Sequence, residues 1–152
     1  MLSPMMLVAL AALGLLAVAS IRRIPEGQVY TLRRLGGHTR VVHSGMHLML
    51  PLIERIAHKI SLTGANVPVE GLVADEQRYR GIVYFQVLDP ERADRVIDNV
   101  DGLLTDRTRS LFADASLPET PDLRRQWLKQ SLNSDVRERG LIVTRVDLSA
   151  VN

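Results

Sequence analysis

No cysteine occurs in the 152 residues. That absence excludes a disulfide framework, a thiolate nucleophile and a thiolate metal site, and it fits a reducing compartment. Charge is missing from the first twenty-one residues, and the first charged side chains met are the adjacent Arg22 and Arg23. A block of one sign is missing from the remainder. All nineteen basic and seventeen acidic residues lie beyond the uncharged stretch and are interspersed, giving a formal net charge of +2. This balance argues against nucleic acid as a partner and suits a domain held beside an anionic leaflet. There is no G-x-S-x-G to activate a serine, and no G-x-G-x-x-G or G-x-x-x-x-G-K to cradle phosphates. Internal repeats are absent as well.

The uncharged stretch, Leu2 to Ile21, is Leu- and Ala-rich and broken only by Ser3, Pro4, Gly14 and Ser20. As a helix of twenty residues it reaches about 30 Å, the thickness of a hydrocarbon core. The expectation is a single-pass transmembrane anchor over residues 1–23, with Leu2, Leu7, Leu10, Leu13, Leu16 and Ile21 toward lipid. Two other readings are a secretory signal peptide, with Ala17-Val18-Ala19 as its cleavage site, and a buried helix. The first lacks the usual basic segment ahead of its apolar run, and the second lacks a polar face. Arg22 and Arg23, with Arg33 and Arg34 further on, lie on the carboxyl side of the stretch. Basic flanks stay on the cytoplasmic face, so the soluble part is expected there and the amino terminus outside.

About 130 residues follow, enough for one ordinary domain, and one core is the expectation. Gln28–Leu35 reads as a strand ending at Gly36-Gly37, Thr39–His43 as its hairpin partner, and Met46–Pro51 as a return segment. Ile53–Leu62 and Asn66–Glu70 read as further strand, and Gly71–Arg78 as a polar connection. Tyr79–Leu88 carries large apolar residues at both parities, as in a central strand covered on both sides, and ends at Asp89-Pro90. The spacing of Ala93, Val96, Ile97, Val100, Leu103, Leu104, Leu111 and Phe112 predicts helix over Glu91–Ala115, interrupted near Asp101-Gly102. Thr120 as cap, Pro121 at the first position and Asp122 announce another helix. Its stripe is Leu123, Trp127, Leu128, Leu132 and Val136, stopped at Gly140. Leu141–Val151 returns to strand, with Ile142, Thr144, Val146 and Leu148 sharing one face. Strands, then helices, then a strand give an α+β domain of mainly antiparallel sheet.

Four stretches together resemble the stomatin, prohibitin, flotillin and HflK/HflC superfamily, whose shared module is the SPFH or Band 7 domain. They are Ile24-Pro25-Glu26-Gly27-Gln28-Val29 with Leu32-Arg33-Arg34-Leu35-Gly36-Gly37; His43 to Ile53; Ile82 to Ala93; and Gly140 to Leu148. The resemblance covers about Ile24 to Val151, assigning 24–152 to this domain. It implies a non-enzymatic membrane scaffold, at the inner membrane in bacteria, that associates laterally with itself. It also implies service to integral partners, including membrane proteases, alone or beside a longer relative. No cofactor is implied. Departures are Ser44 where a proline is usual, Val73-Ala74-Asp75 for the usual Thr-x-Asp, and a short Arg109–Gly140 segment. Most members continue into a long Ala- and Glu-rich helix, so this sequence, running to Asn152, is expected to be a short member without a coiled coil, either minimal or truncated.

Chemistry beyond scaffolding finds little footing. His38, His43, His47 and His58 are close in sequence, but Glu54 is the sole nearby carboxylate, and surface or interfacial histidines are favoured over a metal site. Asp75-Glu76 and Asp98 with Asp101 read as a solvated loop and a helix boundary. A membrane-tethered hydrolase would need a nucleophile–base pair that the sequence does not offer. Leu48, Met49, Leu50, Leu52 and Ile53, with Arg55 and Lys59 beyond, form a candidate membrane-surface contact to be weighed against core packing. Trp127 is a candidate interface anchor, although its place on an apolar stripe favours the core.

Overall fold

The computed structural model describes residues 3–50, 53–114 and 116–151. Leu2 and Leu52, among the expected lipid contacts, lie outside them. The chain divides into two compact units, one up to Lys59 and one from Ile60 onward. Each has its own apolar cluster, where composition alone led to an expectation of one core.

The first unit opens with helix α1, Pro4–Ser20, with Ser3 at its cap position and Pro4 in the first turn, where a missing N–H costs nothing. No acidic residue stands in its first turn and no basic residue in its last. The expected transmembrane span is not met. Among the described residues no helix is long and apolar enough to cross a membrane. The seventeen residues of α1 reach about 25 Å. The shortfall arises at Ile21, which leaves the helix for strand β1, Ile21–Ile24. A competing ladder takes these residues: β1 pairs antiparallel with β4, Gly45–Leu48, placing Ile21 opposite Leu48 and Arg22 opposite His47. Ser20 stitches the junction, its hydroxyl donating to Leu16 O at 2.6 Å and its carbonyl accepting from Met49 N at 2.7 Å.

Between β1 and β4, strands β2 (Gln28–Arg34) and β3 (Thr39–Val42) form the expected hairpin, and β5 (Glu54–Ser61) lies along the other side of β2. The reversal at Gly36 and Gly37 uses φ of 117° and 87°, open to glycine without strain. Ile24, Leu32, Val42 and Met49 close the small core, with Tyr30 packed against it.

In the second unit β7 (Gln77–Val87) is central between β6 (Ala65–Ala74) and β8 (Leu141–Val151), all antiparallel. The polar connection expected over residues 71–78 is instead a tight hairpin. Asp75 and Glu76, both with positive φ, turn the chain in two residues, and β6 continues through Gly71 by a bulge. Glu70 and Gly71 together face Arg80, so Leu72 recovers the buried face held by Val67 and Val69. A second bulge at Thr144 does the same for β8. Leu141 and Val143 are buried before it and Val146 after it, which breaks the single face expected for Ile142 to Leu148. Burial in β7 alternates, with Val83, Phe85 and Val87 inside and Gln86 exposed, so only one face is fully covered.

That cover is α3 (Val100–Phe112) against β6 and α4 (Pro121–Val136) against β8. The short α2 (Pro90–Ala93) precedes them, and the helical interruption falls between Asp94 and Asn99, where a single 3-10 turn lies, instead of at Asp101-Gly102. Leu104, Leu128, Leu132 and Leu141 are wholly buried, each contributing about 2 kcal/mol of apolar transfer.

Candidate membrane and interaction surfaces

Residues of α1 alternate between no two chemical faces. Met5, Leu7, Val8, Leu10, Leu13, Leu15, Leu16 and Val18 are all exposed, and no charge interrupts them. Arg22 and Arg23 follow within β1, both exposed. Ile21, expected in the anchor, belongs to the sheet.

The candidate surface segment divides by residue. Leu48, Leu50 and Ile53 are exposed, whereas Met49 is 5% exposed and belongs to the core beside Ile24 and Leu32. Lys59 lies exposed with its ammonium 5.4 Å from the Tyr30 ring centroid, and Arg55 is exposed. Strand parity explains the split, because neighbours along extended chain point to opposite sides. At the end of the β2–β5 pair, joined by Leu35 N–H donating to Ile53 O at 3.1 Å, a cleft of about 470 Å³ is lined by Arg33, Arg34, Leu35, Ile53, Arg55, Ile56 and Ala57.

Arg34 is committed elsewhere. Its Nε donates to Glu54 Oε1 at 2.8 Å, and the Glu54 side chain is 2% exposed while Arg34 is half exposed. Glu54 therefore serves this arginine and not a histidine cluster. Replacing Arg34 by alanine is expected to cost about 1–2 kcal/mol, since it strands a buried carboxylate, tempered by the arginine's solvation. Thermal unfolding of R34A and of R34A/E54L checks this, and the double variant is expected to recover most of the loss. A histidine site fares no better: the His47 ring nitrogen Nε2 contacts the His43 carbonyl at 2.9 Å, and no group of three metal-ligating side chains forms among the described residues.

In the second unit the two motifs nearest in character to a signature, Asp89-Pro90 and Gly140-Leu141, meet at one joint. Asp89 caps α2, its Oδ1 accepting from Glu91 N at 3.1 Å and Arg92 N at 3.2 Å. The Gly140 carbonyl accepts from both Leu88 N and Asp89 N, at 2.8 and 3.0 Å. Gly140 itself is left-handed, φ 76°. These residues fasten the start of the helical layer to the start of the closing strand.

Sequence reading missed Arg124. The buried side of α4 is Arg124, Leu128, Leu132 and Val136, a strict four-residue series, whereas Leu123 is exposed. Arg124 is 2% exposed. Its Nε donates to Pro118 O at 2.8 Å, and its Nη2 to Asp75 Oδ2 at 2.8 Å and Glu119 O at 3.4 Å. The guanidinium carbon lies 5.3 Å from the Tyr79 ring centroid and 5.7 Å from that of Phe112. Asp75, read as solvated loop, is thus the carboxylate that meets a buried cation. The available signal was the spacing of Arg124 to Leu128 and Leu132.

Trp127 is half-buried and packed against the core. On the open face, Arg145 stacks over Tyr84 at 4.3 Å and pairs with Asp147 at 2.7 Å. The Tyr84 contact first, and the Asp147 charge second, raise its pKa further above the ordinary arginine value. Asn133 closes part of the β8 edge, its amide donating to Val143 O at 2.9 Å and accepting from Val143 N at 2.8 Å.

Comparison with known proteins agrees with this architecture. A family model described as SPFH domain / Band 7 family matches residues 22–152. An uncharacterized protein of Mycobacterium tuberculosis is 29% identical over 96% of this chain and 42% of its own length. A stomatin-like protein of Caenorhabditis elegans is 24% identical over 80% of this chain and 36% of its own. Stomatin-like protein 2, mitochondrial, of Rattus norvegicus is 25% identical over 85% of this chain and 35% of its own. The chain spans about two fifths or less of the length of these curated relatives. With the model matching nearly all of the sequence after α1, the chain belongs to the SPFH domain / Band 7 family.

Proposed function

We propose that this protein is a membrane-attached scaffold, without enzymatic activity, that self-associates through its SPFH domain and organises the lipid and integral proteins around it. The observation that carries the reading is α1, an uncharged helix apolar on every side and joined without a linker to the first strand of the domain. Such a helix is stable in lipid and costly in water, because each exposed leucine forgoes about 2 kcal/mol of burial. In this reading α1 lies in the hydrocarbon layer, and Arg22 and Arg23 hold the domain at the cytoplasmic surface of the membrane. Anchoring confines the domain to two dimensions, so weak lateral contacts become effective through raised local concentration.

Flotation of the full chain with neutral phosphatidylcholine vesicles tests the attachment. Retention at high salt is expected for the full chain and loss for the chain beginning at Arg22. Sedimentation of the full chain free of vesicles would end the reading. Light scattering of the detergent-extracted full chain tests self-association, with a discrete oligomer expected. A monomer would shift assembly to a partner, such as a longer member of the family or a membrane protease.

A further inference from the structure

We propose that the cleft at the end of the β2–β5 pair seats the phosphate of an anionic lipid, with Arg33 and Arg55 as its ligands and Leu35, Ile53 and Ile56 entering the acyl boundary. The proposal rests on the membrane attachment argued above and names a lipid class for it. Three observations lead to it. The cleft collects three arginines within about 470 Å³ while its lining holds no acidic side chain. Among the described residues Arg34 alone of the three forms an ion pair, with Glu54, leaving Arg33 and Arg55 exposed without a carboxylate partner. The same rim exposes large apolar side chains, Leu35 at 78%, Ile53 at 43% and Ile56 at 41%.

Charge and apolar surface in one place select the occupant. Guanidinium groups bind phosphate oxygens by paired N–H donors, and a free phosphate would satisfy them while leaving three apolar side chains in water. A lipid satisfies both, since its phosphate meets the arginines at the depth where its glycerol and first methylenes meet the isoleucines. Lys59 is turned over Tyr30 and Met49 lies in the core, so the site is narrower than the Leu48-to-Lys59 segment suggests.

Native mass spectrometry of the full chain, released from a nonionic detergent supplemented with phosphatidylglycerol or phosphatidylcholine, reads the site directly. Preferential retention of phosphatidylglycerol is expected. R33Q/R55Q should weaken that retention by about thirtyfold, at roughly tenfold or less per arginine, while leaving phosphatidylcholine adducts unchanged. R40Q/R78Q removes equal charge elsewhere and is expected to retain the preference. An undiminished preference in R33Q/R55Q, or an equal loss in R40Q/R78Q, would overturn the proposal, as would displacement of the lipid by millimolar inorganic phosphate, which would mark a soluble-anion site. Flotation on neutral vesicles depends on α1 and not on these arginines. No preference for phosphatidylglycerol in the unaltered chain, with its flotation intact, therefore sinks the lipid site alone, and failure of the unaltered chain to float sinks the attachment beneath it.

Discussion

Replacing Gly140 by alanine will lower the melting temperature of the protein by roughly 10–20 °C, equivalent to a loss above about 3 kcal/mol. Two costs combine. The backbone at Gly140 has φ of 76°, where any Cβ costs about 1 kcal/mol. The larger cost is steric. An added Cβ would run into the Asp89 carbonyl oxygen at a separation that real Cβ atoms do not show, and would meet Arg92 Cβ at 3.0 Å and Asp89 Cβ at 3.1 Å. Backbone oxygen cannot rotate aside as a flexible side chain can, so the joint itself must open. Opening it strains the two hydrogen bonds from Leu88 and Asp89 to the Gly140 carbonyl, and with them the entry to α2. Gly37 supplies the control, because its φ is 87° yet nothing lies within 4 Å of an added Cβ. G37A is expected to lose about 1 kcal/mol. Thermal unfolding of both variants by circular dichroism, in one detergent, separates the terms, and equal losses would show that close approach at Gly140 contributes nothing.

The joint also shows what the sequence could and could not disclose. Gly140 and Asp89-Pro90 were readable as punctuation, because a left-handed residue ends a helix and a proline ends a ladder. Their meeting was not readable, since no local pattern says that residues about fifty apart share two hydrogen bonds. The strands β2, β3 and β8 were legible from β-branched runs beside glycines, and β5 from a loose alternation. β1 was not, because Ile21–Ile24 is too short to show alternation and follows directly on an apolar helix. The apolar composition therefore extended the expected span past Ser20, where pairing with β4 ends it. Bulges hid in the same way. Gly71 reads as a turn, and Thr144 shifts the phase of β8 without any compositional mark. Of the candidate surface, Ile53 and Arg55 were named from the sequence, whereas Ile56 read as strand, and which arginine is paired depends on Glu54, four positions before His58 and buried against Arg34.

Arg124 carries the second large effect. R124A is expected to destabilise the protein by about 3–4 kcal/mol, because it removes a side chain that is 3% exposed, vacates space beside Tyr79 and Phe112, and leaves the Pro118 and Glu119 carbonyls without their donor. The ion pair with Asp75 is the lesser part. Asp75 is 73% exposed at its side chain, where water screens the charge, so D75N should lose less than about 1 kcal/mol. R124K discriminates between charge and shape. Lysine keeps the charge but has neither the planar fork that reaches Pro118 and Asp75 from separate nitrogens nor the flat face set against two rings, so about 2 kcal/mol is expected to go. The order expected from thermal unfolding is thus R124A, then R124K, then D75N. If D75N cost as much as R124A, the exposed carboxylate would be the anchor of this contact and the ring stacking incidental. With the expected order, the buried guanidinium acts as a polar rivet. It fixes the start of α4 to the β6–β7 hairpin and explains why a charged residue holds a place in the stripe that Leu128 and Leu132 continue.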